Sequence, residues 1–144
     1  MNTIQWESTF EIGVSSVDKQ HKALVNLLNG LEVAMSYGDS RQVLGPLLEQ
    51  FLDYAQRHFE VERALLVAGA CPEIEVHQLA HHSFAVKARQ LHHRFQFEAD
   101  FLISVEAVRL LRDWLNHHLA VESCPFARFL KVGAQMRAGD NESS

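Results

Sequence analysis

Three pairs of side chains repeat at one helical turn: His58 with Glu62, His77 with His81, and His118 with Glu122. Residues four apart share a helix face, so each pair can aim two donor groups at one point. A further donor, His21, stands in an apolar stripe of Val17, Leu24, Leu28, Leu31 and Met35. As a purely structural network these seven groups would be costly. A buried, unpaired carboxylate loses several kcal/mol of hydration, and each buried imidazole needs partners for its ring nitrogens. A metal cluster removes both costs at once.

The count and type of donors narrow the metal. Structural zinc sites are four-coordinate and often use thiolate, whereas Cys71 lies off the apolar stripes. Imidazole with carboxylate suits iron or manganese, and helical bundles commonly build paired-metal sites from inward-facing residues. Two six-coordinate ions offer about twelve positions. Five imidazoles, two bridging carboxylates and a bridging oxide or hydroxide fill all but one, leaving a place for a small ligand. The expected cofactor is therefore a pair of ions, iron or manganese, with two iron ions the common case in helical bundles, held by His21, His58, Glu62, His77, His81, His118 and Glu122.

Four helices are needed to bring these donors together. Apolar residues recur every three or four positions along most of the chain, and strand signals are nearly absent. The spacing predicts helices over about Val17–Tyr37, Arg41–Ala68, Glu73–Ala99 and Ser104–Glu122. Ser15 or Ser16 is placed to cap the first, and Gly38 and Gly69 end the first two. Pro125 is expected to break or kink the last, leaving 126–132 as a short extra piece. The inward stripe of the second helix reads Leu47, Phe51, Tyr54, His58, Val61 and Leu65; that of the third reads His77, His81, Phe84, Ala88, Leu91 and Phe95. The fourth presents Val108, Leu111, Leu115, His118 and Glu122. Short connections make neighbouring helices antiparallel. The expected fold is all-α: an up-down-up-down four-helix bundle over residues 1–137, with an extended N-terminal arm and a disordered tail at 138–144.

Composition excludes several classes. The chain has 144 residues, 47% of them hydrophobic, enough for one domain with a core. A net charge of −5 argues against a nucleic-acid partner and against an electrostatic membrane anchor. The first thirteen residues lack the basic and apolar regions of a secretory signal, and no apolar run is long enough to span a bilayer. Cys71 and Cys124 could pair, but two cysteines make no disulfide scaffold. These features predict a soluble cytoplasmic protein. Of the nine histidines, His82, His92 and His93 fall off the stripes and are expected at the surface, and His117 is ambiguous beside His118.

The motifs resemble those of the hemerythrin family, bacteriohemerythrins in particular, over nearly the whole domain. Trp6-x3-Phe10-x-Ile12-Gly13-Val14-x2-Val17-Asp18-x-Gln20-His21-Lys22 looks like the family's arm and first ligand. His58-Phe59-x2-Glu62, Pro72-x4-His77-x3-His81-x2-Phe84 and Trp114-Leu115-x2-His118-Leu119 are similar to the remaining three motifs. The pattern departs at one point. The family places a bridging Asp five residues after the last His, and here that position is Ser123. His117 with Glu122 keeps the five-residue spacing; His118 with Glu122 gives the four-residue spacing of HHE cation-binding domains. His118 is preferred because it lies on the apolar stripe, whereas His117 points about 140° from Glu122 on a regular helix.

The resemblance implies reversible dioxygen binding at a diferrous site, in an oxygen carrier, storage or delivery protein rather than an enzyme. Such a site needs a dry wall, which Leu24, Leu28, Phe51, Tyr54, Phe84, Leu111 and Leu115 can supply, and the resemblance puts Leu119 near the open position. Two other classes compete: a di-iron module that senses oxygen, iron or redox state, and an enzyme that turns over peroxide or nitric oxide.

Overall fold

A computed structural model describes residues 3–38, 41–98 and 105–142; of these, the side chains of residues 41, 105, 106, 121–125 and 139–142 lie outside the description. Among the described residues there are helices and no strands: α1 (Ser15–Ser36), α2 (Arg41–Ala68), α3 (Ile74–Phe97), α4 (Val105–His117) and α5 (Ser123–Glu142). A π-helical turn, His118–Glu122, joins α4 to α5. The fourth limb of the bundle is therefore one continuous helical run, and it extends beyond the short piece expected after Pro125. Pro125 lies just after the π turn, where the regular i to i−4 bonding is already interrupted, so its missing N–H does not end the run. The segment from Ala138 to Glu142, expected as a disordered tail, is the last part of α5.

The arm is tied down rather than loose. Ile4 donates its backbone N–H to Asn29 Oδ1, and Asn29 Nδ2 donates back to the Ile4 carbonyl, both at 2.9 Å. Ile4, Phe10, Ile12 and Val14 are buried against the bundle. Entry into α1 does not use Ser15 or Ser16, since the helix start has no side-chain cap. Instead the Asp18 carboxylate accepts from the backbone of Ile12 at 2.9 Å and of Gly13 at 3.2 Å. Gly13 has φ +87°, so the arm turns through a conformation that only glycine adopts freely.

Two apolar clusters form the core: the first runs through all four limbs, and the second draws on α1, α2 and α5, with Ile74 at the start of α3 packed against it. One contains Leu24, Leu28, Phe51, Phe84, Leu111 and Leu115. The other contains Val17, Leu65, Leu66, Phe126 and Leu130. The sequence positions between them on each limb carry His21, His58, Glu62, His77, His81 and His118, all buried. The polar groups thus form a single layer between two apolar ends. In α2 the inward face is turned from the expected stripe: Leu48, Ala55 and Glu62 are buried with Phe51 and His58, while Leu47, Tyr54 and Val61 are partly exposed. That rotation brings Glu62 inward. Close to this layer, α2 and α5 meet backbone to backbone. Gly69 faces the Phe129 carbonyl and Gly133 faces the Leu65 carbonyl, with no space for a Cβ at either.

Candidate metal centre

Each limb delivers its donors because they occupy the same helical stripe as its core residues. On α1, His21 sits one turn from Val17 and close to Leu24; on α3, His77 and His81 precede Phe84; on the fourth limb, His118 follows Leu115. Their ring nitrogens converge on Glu62. Its Oε1 lies 2.8 Å from His118 Nε2 and 3.3 Å from His21 Nε2, and it also contacts His58 Nε2. Its other oxygen, Oε2, lies 3.2 Å from His77 Nε2. Donor atoms of His21, His58, Glu62 and His118 fall within 4.8 Å of one another, as do those of Glu62, His77 and His81. One carboxylate thus belongs to two donor groups and presents a different oxygen to each.

The donors fit a cation better than they fit each other. His118 Nε2 stands 3.2 Å from His21 Nε2 and 3.3 Å from His58 Nε2. Two imidazole nitrogens can share only one proton, and Glu62 as a carboxylate only accepts. His81 Nε2 is buried without a hydrogen-bond partner in the protein, which is costly unless a bound ion satisfies it.

Electrostatics point the same way. Burial lowers the His58 imidazole to about 4, against a partial opposing pull from Glu62. Burial, reinforced by neighbouring His77, lowers His81 to about 2. His21 is lowered as well, again by burial first. For Glu62, burial favours the neutral acid, but His118 and His58 outweigh it and hold the carboxyl well below its usual range. Neutral His21, His58 and His81 beside an ionised Glu62 are the protonation states that metal ligation needs.

Aromatic rings enclose the layer. Phe59 stacks on His81 at 3.9 Å between centroids, with 24° between the planes. Phe84 stacks on Trp114 at 3.7 Å, and Trp114 on His118 at 5.3 Å, in a column of near-parallel rings. Phe126 sets its edge to His77 at 5.0 Å. A second kind of support comes from α1: Gln20 Oε1 lies 2.8 Å from His58 Nδ1.

Six of the seven residues expected from the sequence are therefore brought together. The seventh, Glu122, lies outside the described side chains, as do Ser123 and Cys124. His117 is exposed, and His118 is fully buried. The face-sharing argument for His118 with Glu122 assumed a regular helix, but these residues span the π turn. There the backbone bonds run five residues apart, so positions 122 and 123 both come near the face of His118. His82 and His93 are exposed and His92 is half-buried; Cys71 is buried as a free thiol. Sequence reasoning missed Gln20 and Phe126. Gln20 was quoted in the first motif, and its place directly before a donor His was the only available signal.

Comparison with known proteins agrees with this geometry. The pattern of the hemerythrin HHE cation binding domain matches residues 12–123. A bacteriohemerythrin of Stenotrophomonas maltophilia is 27% identical over 143 residues, covering 99% of this chain and 92% of its own length. A bacteriohemerythrin of Methylococcus capsulatus is 26% identical, over 83% of this chain and 90% of its own. A solved wild-type hemerythrin superposes with a TM-score of 0.81 at 23% identity, over 88% of this chain and 97% of the other, a likeness of fold. With this match across most of the bundle and a buried His/Glu cluster at its centre, the chain belongs to the hemerythrin HHE cation-binding family, whose members hold non-haem iron.

Proposed function

We propose that the chain holds two iron ions in the His/Glu layer and binds dioxygen reversibly there, as a carrier, store or delivery protein of the cytoplasm rather than a catalyst. The observation that carries this reading is the double role of Glu62, which turns Oε1 toward His21, His58 and His118 and Oε2 toward His77. A carboxylate so placed suits a bridge between two ions. On this reading His21, His58, Glu62, His77, His81 and His118 would hold the two ions, with Glu122 of the fourth limb completing the set. Iron bound there would supply the reversible redox chemistry toward dioxygen that side chains lack.

The protein's own contribution is to position and to exclude. Neutral His21, His58 and His81 and an ionised Glu62 are ready to ligate with little proton release. Leu24, Leu28, Phe51, Leu111, Leu115 and Leu119 are buried and keep bulk water from that end of the layer, which slows irreversible oxidation.

The experiment is anaerobic reduction of the iron-loaded chain, addition of dioxygen, and removal of dioxygen under argon, followed optically and paired with metal analysis. About two irons per chain and a visible band that appears and fades over repeated cycles are expected. A fully occupied mononuclear zinc protein would sink the di-iron reading. A fast-decaying oxygenated spectrum with repeated consumption of added peroxide would replace the carrier with an enzyme.

A further inference from the structure

Among the described side chains, the layer comes nearest to solvent at one residue. His81 is 7% exposed, and the other five cluster residues are 2% or less. His81 also forms part of the wall of a cleft of about 700 Å³ between α2 and α3. Glu60, Glu75 and His82 line the same cleft, with Arg63 as its one Lys or Arg. Phe59, lying flat on His81, stands between the cleft and the rest of the layer.

We propose that this cleft is the route by which ferrous iron enters the centre, with Glu60 and Glu75 drawing the hydrated ion to the mouth and His81 receiving it first. The proposal rests on the iron reading above. A divalent ion cannot cross the apolar ends of the bundle, because stripping its water without replacement is prohibitive. It needs oxygen or nitrogen donors along its path, and the cleft offers carboxylates and an imidazole outside the cluster. At the inner end, His81 Nε2 is buried without a hydrogen-bond partner in the protein, so a ligand atom already waits there. Two carboxylates against one guanidinium make the mouth attractive to a cation, and such local fields raise association rates about 10- to 1000-fold at low salt.

The test is the rate of iron uptake. Iron-free protein is mixed anaerobically with ferrous ammonium sulfate, and the iron left free is captured by a colorimetric chelator at set times. The double substitution Glu60→Gln and Glu75→Gln should slow uptake about three- to tenfold at low ionic strength. The gap should narrow at high salt, where exposed charges are screened, and the final iron content should be unchanged. The same charge change on the arm, Glu7→Gln with Glu11→Gln, should leave the rate as it is. Equal rates for the cleft variant and the parent, or equal slowing by the arm variant, would overturn the proposed route while leaving the iron reading intact. A parent chain that takes up no iron would overturn both.

Discussion

Gln20 and His58 stand on different helices, with the amide oxygen of one 2.8 Å from Nδ1 of the other. Because the oxygen accepts, His58 carries its proton on Nδ1, and the Nε2 lone pair faces Glu62 and His118. One turn of α1 therefore supplies a donor of its own, His21, and fixes the tautomer of a donor on α2. Outer partners of this kind orient ligands and raise their basicity.

Gln20→Leu removes the acceptor and keeps much of the volume. Iron affinity is expected to fall about 10- to 100-fold, the usual cost of losing such a partner, and Gln20→Glu should restore most of it. Chelator competition on all three proteins checks this. An unchanged affinity in the Leu variant would mean that His58 needs no lock.

On the fourth limb, His118→Ala and Glu122→Ala should each strongly reduce iron content, while His117→Ala should leave it nearly intact. His118 is fully buried beside Glu62 and His117 is exposed. Metal analysis of the purified variants decides the matter. A fully loaded Glu122→Ala protein would remove Glu122 from the ligand set.

The iron-free chain should lose stability in mild acid. His58 titrates at about 4 and His81 at about 2, against an ordinary 6.5. Below 6.5 the unfolded chain therefore binds more protons than the folded one. The stability is complete above 6.5 and drains away as pH falls, down to about 4 for His58 and about 2 for His81. Each histidine contributes a slope of about 1.4 kcal/mol per pH unit. Melts of iron-free protein at pH 7.5 and 5.5 should differ by several degrees, roughly the shift that about 2 kcal/mol produces in a domain of this size. A melting temperature that stays flat between them would show that the two histidines are not buried neutral.

Gly133→Ala should destabilise the fold by about 1–3 kcal/mol, the usual cost of overpacking, because its Cβ would meet the Leu65 carbonyl. Gly30 has open space where a Cβ would go, so Gly30→Ala should be neutral or slightly stabilising through helix propensity. Denaturant titration of the two variants makes the comparison. Equal midpoints would show that α2 and α5 can separate without cost.

The stripes of α1 and α3 were legible because each has one apolar face, and His21, His77 and His81 lie on it. In α2 two adjacent stripes carry apolar residues, one through Leu47, Tyr54 and Val61 and one through Leu48 and Ala55 that leads to Glu62. Periodicity does not choose between them; the choice depends on which neighbours Glu62 reaches. Pro125 read as a stop because proline usually ends a helix, and a π turn ahead of it leaves no sequence mark. The role of Gln20 depends on which helix lies opposite, which one chain's spacing does not reveal.

The ring column from Phe84 through Trp114 to His118 gives the molecule an internal optical gauge. The chain has two tryptophans. Trp114 is stacked on His118 at 5.3 Å between centroids, so a change of charge at that imidazole should alter its emission. Trp6 belongs to the arm, packed on Phe10 with the Lys22 ammonium over its ring, and its fluorescence follows the docking of that segment. With either indole replaced by phenylalanine, filling of the centre and release of the arm become separately visible in light emitted by the protein itself.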